Sequence, residues 1–205
     1  MSDYMIEQTT GDRGLPYKPI VVAIHWLTAA LIVTQVWLGF TFAALPKDTP
    51  ERLEFFTWHK TVGVTILILA LIRLAVRLMN PPPPFPDEIA KWERALAVWS
   101  HRLFYFLIIA LPLTGLAAVS KGGPSTALVG GLEVPTVPFP ALGEAHEILV
   151  FATLGLLALH VLGALKHQFI DRGPSADRMW PFRSTRRQEA TATSPPPTRR
   201  AQRRQ

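Results

Sequence analysis

The sequence predicts an all-α integral membrane protein built as a four-transmembrane-helix bundle, and three observations carry that reading. Apolar residues make up 49% of the 205-residue chain, and the mean hydropathy is +0.22. Four apolar runs, roughly 20–43, 58–78, 98–119 and 146–170, are each long enough to cross a hydrocarbon core of about 30 Å. None of them shows the period-two alternation of barrel strands. Lipid offers no partner to unpaired backbone groups, so helices are the spanning form that remains.

The first run, 20–43, is too long and too weakly basic at its start to be a cleaved leader, and is taken as helix one. A short loop of mixed charge, 45–57, should lead to helix two. That helix should stop at Asn80-Pro-Pro-Pro-Pro-Phe-Pro86, because proline lacks a backbone donor and clashes with the preceding turn. Residues 87–100 read as a helical lead-in with Trp92, Ala95, Leu96 and Trp99 on one side, suited to lying at the membrane surface. The Gly- and Pro-rich stretch 120–145 is expected to lid the outer end of the bundle before helix four. The domain reading is an N-terminal segment 1–19, a membrane domain 20–170 and a basic tail 171–205.

Charge sets the expected orientation. The segments before helix one, between helices two and three and after helix four hold 17 of the 21 Lys and Arg, counting Arg73, Arg77, Arg102 and Lys166 at helix ends. The positive-inside rule then puts both termini of a multi-pass membrane protein in the cytoplasm. Residues 173–205 carry eight Arg against Asp177 and Glu189, a net +6 equal to that of the whole chain. Rich in Pro, Ser and Thr, this tail reads as a disordered partner of anionic membrane lipid rather than of nucleic acid.

The chain has no cysteine, which excludes disulfides, iron–sulfur clusters, thiolate zinc and covalently attached haem. A redox cofactor would have to be held by imidazole and packing. All six histidines lie in or at the ends of the apolar runs. His146 and His160, 14 residues apart, return to within about 40° of one helix face and stand about 21 Å apart along the axis. His59 and His146 open helices two and four, towards the outer side. His25, His101, His160 and His167 fall in the inner half or at its rim. One such histidine could simply hydrogen-bond to a neighbour, but six with this spacing argue for a task. Two imidazoles from different helices at equal depth can grip a haem iron from both sides, and that closed coordination favours electron transfer over oxygen activation. Gly63, Ala29, Gly163 and Ala164, each one turn from such a histidine, would admit a flat macrocycle. At the inner level spacing alone leaves His160 and His167 open; depth favours His160.

The runs Ile24-His25-Trp26-Leu27, Trp58-His59-Lys60-Thr-Val-Gly63, Ser100-His101-Arg102-Leu, Ala110-Leu-Pro112-Leu-Thr-Gly115, His146-Glu147 and Leu159-His160 with His167 together resemble the prokaryotic cytochrome b561 family over about residues 17–180. The resemblance implies a bundle binding two non-covalent haem b groups, the inner held by His25 and His160 and the outer by His59 and His146. It implies electron exchange with membrane quinone, and in one branch oxidation of superoxide with reduction of ubiquinone. His101 and His167 then become candidates for a quinone pocket, since a quinone carbonyl needs a donor and its reduced form needs protons. Arg73, Arg102 and Lys60 become candidates for propionate or quinone contacts, whereas Arg77 reads better as snorkelling to headgroups.

The expected function is a quinone-linked di-haem electron-transfer protein, with superoxide as the favoured outer donor. One feature weighs against superoxide: the outer segments hold four basic residues against six acidic, about −2, where a small anion would prefer a basic funnel. The alternative is a haem-bearing anchor that wires a partner dehydrogenase or periplasmic cytochrome to quinone. A histidine relay for transition-metal transport is a third class, disfavoured by the scarcity of carboxylates inside the spans.

Overall fold

The computed structural model describes residues 18–80 and 90–170. The proline run, the basic tail and most of the N-terminal segment lie outside these residues. Helix α1 spans Pro19–Ala44, α2 Pro50–Met79, α3 Lys91–Val119 and α4 Ala145–Leu165, followed by a wide π-type turn at Lys166–Ile170. All four helices are long and apolar enough to cross a membrane, and only 6–17% of each apolar stretch is buried within the protein. So little internal burial means that lipid must cover most of the apolar surface. The buried set is correspondingly thin: Ile24, Thr28, Leu38, Ile66, Ala70, Leu107, Thr114, Ala117, Leu128 and Thr153. Each buried threonine returns its hydroxyl to a carbonyl one turn back, so no donor is stranded in lipid.

Two helices run further than hydropathy indicates. Helix α2 starts at Pro50, not near residue 58: the Thr49 side chain caps it by accepting the Arg52 N–H at 3.3 Å, and Pro50 pre-sets the first turn. Glu51, Arg52 and Glu54 are thus helical, and the connection shrinks to 45–49, where Asp48 takes a left-handed φ of 64°. Arg52 closes the junction by donating to the carbonyls of Phe42 (2.7 Å) and Leu45 (2.8 Å) at the end of α1. Helix α3 begins at Lys91, so the expected surface lead-in is its first turns rather than a separate helix. At about 43 Å it exceeds the hydrocarbon thickness, which leaves exposed Trp92, Leu96 and Trp99 at interfacial depth.

We call the end bearing the 45–49 and 120–144 connections distal and the other proximal. Residues 120–144 form short 3₁₀ turns and a two-stranded hairpin, β1 (Ser125–Ala127) against β2 (Glu133–Pro135), turned by Gly130 and Gly131 at φ 80° and 78°. The expected lid is tied down: Lys60 donates to Thr126 Oγ1 (3.0 Å) and the Ala127 carbonyl (2.8 Å), and the Val129 N–H donates to Thr61 Oγ1 (3.0 Å). At the proximal end Lys18 bonds Asn80, and Lys166 pairs with Glu93 at 2.9 Å. Backbones approach closely between consecutive helices. Helix α4 brings imidazoles towards α1, at His25 and His160, and towards α2, at His59 and His146.

Candidate functional site: two opposed imidazole pairs

The His59 and His146 rings face each other near the distal end, with centroids 6.4 Å apart and planes at 86°. Nearer the proximal end His25 and His160 stand 6.5 Å apart at 60°. These separations allow a chemical test. A metal sits about 2 Å from an imidazole nitrogen, and that nitrogen lies roughly 1.1 Å from its ring centre, so two imidazoles on one metal have centroids roughly 6 Å apart. Both pairs, at 6.4 and 6.5 Å, fit that requirement.

Neighbouring helices fix the distal rings. The His146 Nδ1–H donates to the Leu111 carbonyl at 3.0 Å, with Thr114 Oγ1 at 3.2 Å. A carbonyl only accepts, so the proton lies on Nδ1 and Nε2 keeps its lone pair, the orientation a metal-binding histidine takes from its surroundings. Gly115 makes room for this ring, since a β-carbon there would lie 3.2 Å from His146 Cε1. Gly39 plays the matching part for His59, at 3.1 Å from Cε1. Phe42 packs on His59 with centroids 5.2 Å apart, and the Gln35 amide nitrogen lies 3.1 Å from His59 Nε2.

The proximal site is richer in polar groups. Arg73 Nη2 lies 2.8 Å from His25 Nδ1. A guanidinium only donates, so this bond puts the proton of a neutral His25 on Nε2. Ligation through Nε2 would shift that proton to Nδ1 and release Arg73 for a carboxylate. His101 stacks edge-on to His160 at 5.6 Å and gives its Nδ1–H to the Ala97 carbonyl at 2.5 Å, leaving Nε2 as an acceptor. Phe104 also packs edge-on to His160, 5.3 Å away.

The remaining sequence candidates lie further out. Arg102 stacks on Trp99 of its own helix at 5.4 Å, and Lys60 is directed to the hairpin. His167 falls in the π-type turn, and its side chain is outside the described set. Of the small residues expected to clear space, Gly63 lies against Gln35, and Gly163 faces open space. Gly39, Thr114 and Gln35 were not singled out from the sequence. An amide and a glycine one turn apart in a helix with few polar residues were the signal for two of them.

The family described as prokaryotic cytochrome b561 matches residues 16–182. Among curated proteins, cytochrome b561 homolog 2 of Escherichia coli (strain K12) is 28% identical over 80% of this chain and 90% of its own length. Probable superoxide oxidase CybB of Yersinia pestis is 27% identical over 80% of this chain and 96% of its own. Cytochrome b561 homolog 1 of Escherichia coli (strain K12) is 27% identical over 79% and 95%. Four membrane-crossing helices, imidazole pairs in place of cysteine ligands and a match over most of its length place this chain in the prokaryotic cytochrome b561 family, as a multi-pass bacterial membrane protein of b-type haem electron transfer.

Proposed function

We propose that the protein is a di-haem, quinone-linked oxidoreductase of the inner membrane, with its distal end in the periplasm and both termini in the cytoplasm. His59 and His146 would hold one haem, and His25 and His160 the other. The observation that carries this reading is the pair of matched imidazole separations, 6.4 and 6.5 Å, at two depths of one bundle. Bound haem b supplies one-electron redox centres without an open coordination position. The chain's own task is to fix the rings, as Leu111 and Gly115 do for His146, and to keep the surroundings apolar.

The favoured reaction takes one electron from each of two superoxide ions at the distal face, releasing two molecules of oxygen. The two electrons and two cytoplasmic protons convert ubiquinone to ubiquinol at the proximal end. His101 is placed for the quinone side, since its Nε2 can accept the hydroxyl hydrogen of a quinol. Arg73 would pair with a propionate once freed from His25. Similarity to a probable superoxide oxidase supports the donor.

A second reading has one observation in its favour. The distal segments are net acidic, and Lys60 is engaged by the hairpin, which suits a basic periplasmic redox protein better than a small anion. Purified protein decides between them. Two haems per chain, one lost in His59→Ala or His146→Ala and the other in His25→Ala or His160→Ala, with superoxide-driven ubiquinone reduction by the protein alone, are expected. Two haems without that activity would favour the wiring role, and retention of both in His146→Ala would end the distal assignment.

A further inference from the structure

Leu111, Thr114 and Gly115 lie about one turn apart on α3, and all three meet the His146 ring. The Nδ1–H of that ring donates to the Leu111 carbonyl at 3.0 Å, and Thr114 Oγ1 lies 3.2 Å from the same nitrogen. Because the proton sits on Nδ1, the hydroxyl accepts there rather than donates. Its own hydrogen goes back along the helix to the carbonyl of Ala110 or Leu111, each 2.9 Å away. The imidazole N–H is thus shared between two oxygens, one of them a hydroxyl polarised by the bond it gives.

Thr28 and Thr153, the other buried threonines among the described residues, bond only the carbonyl four residues back. Packing does not require the Thr114 oxygen, since valine has nearly the same shape and buries no hydroxyl. What the oxygen adds is a second acceptor for the ring. The facing His59 has no counterpart, for its Nδ1 is buried without a hydrogen-bond partner among the described residues. Both oxygens address Nδ1 of His146, so a metal taken up at Nε2 leaves their bonds in place. An acceptor at the far nitrogen pushes a ligating imidazole towards imidazolate, which strengthens its donation and stabilises the more positive, oxidised iron.

We propose that Thr114 is a positioning residue of the distal site, which with Leu111 fixes the His146 ring and holds down the reduction potential of the haem bound there. The proposal rests on His146 being an axial ligand through Nε2. A lower distal potential favours onward transfer to the proximal site, the direction that the proposed reaction requires.

The test is a redox titration of the purified holoprotein with haem quantitation. Thr114→Val keeps the branched shape and removes the oxygen, while the Leu111 bond still holds the ring. The distal haem should become about threefold easier to reduce, a rise of about 30 mV on a scale of about 59 mV per tenfold for one electron. The proximal potential should hold. Thr114→Ser, which keeps the hydroxyl, should restore the original value, a rescue that packing alone would not give. Thr153→Val, which removes a hydroxyl bonded within α4, should move neither potential. An unaltered or lowered distal potential in Thr114→Val, or an equal rise in Thr114→Ser or Thr153→Val, overturns the proposal and leaves the ligand reading standing. Both haems surviving in His146→Ala overturn the ligand reading and the proposal with it. If Thr114→Val loses the distal haem, Thr114→Ser decides: a distal haem kept at its original potential supports the proposal, and one lost or shifted overturns it.

Discussion

Gly115 of α3 and His146 of α4 are in such close contact that a β-carbon on the glycine would lie 3.2 Å from Cε1 and 3.5 Å from Nδ1 of the imidazole. Nothing larger than hydrogen fits without moving the ring or the Nδ1 bond to Leu111. Gly115→Ala should therefore cost about 1–3 kcal/mol by overpacking. On the di-haem reading proposed above, it should lower distal haem occupancy by at least half, with the proximal haem retained. Pyridine–haem quantitation against protein mass checks this, and Gly39→Ala should act likewise through His59.

Loss of Arg73 should register at the proximal site alone. Arg73→Leu removes a charged hydrogen bond to His25 at 2.8 Å, a contact of a kind worth about 1.5–3 kcal/mol. The thermal midpoint of the haem-free protein should fall, since ligation releases that bond, and on the propionate pairing proposed above the proximal haem's potential should fall with the lost positive charge while the distal one holds. Arg102→Leu, whose guanidinium stacks on Trp99, is the control and should shift neither by a comparable amount.

The distal hairpin hangs on few bonds. Lys60→Met removes two of its ties to α2, worth about 1 kcal/mol each. Protease cleavage near Gly130 and Gly131 should accelerate roughly thirtyfold, the factor that about 2 kcal/mol corresponds to. Gly143→Ala should loosen the same region more severely, since its β-carbon would lie 2.5 Å from the Ala118 Cα, in backbone that cannot turn aside. Mass spectrometry of timed digests reads both.

The distal rings are nearly perpendicular, at 86°, and the proximal rings are at 60°. Crossed axial imidazole planes bring the iron d-orbitals closer in energy and make the ferric signal more anisotropic. The distal haem should therefore give the higher principal g-value of the two. His59→Ala should remove that component, and its survival would contradict the assignment.

Much of the architecture was legible because lipid makes severe demands: the four spans follow from apolar length, and the ends of α1 from residues 19 and 44 were placed within a residue. Hydropathy failed at Pro50 and Lys91, because it marks where the chain leaves lipid rather than where the helix ends. Thr49 with Pro50 is a capping signal that a search for apolar runs passes over. The opposed histidines were legible from depth and helix phase. Gln35 and Gly39 were not, because their meaning lies in contact with a different helix, and no spacing within α1 reveals that His59 docks there. The tie between Lys60 and the hairpin depends likewise on how residues 120–144 fold back over α2.

The 14-residue interval between His146 and His160 has an electrical consequence. In the orientation proposed above, an electron that travels those 21 Å of helix crosses about two-thirds of the insulating layer. Moving a full charge across 100 mV takes about 2.3 kcal/mol, so the inward hop runs uphill by about 1.6 kcal/mol per 100 mV when the interior is negative. Reduction from the periplasm should be throttled in vesicles that hold such a voltage and relieved by an uncoupler, which makes the bundle responsive to the charge state of the cell that houses it.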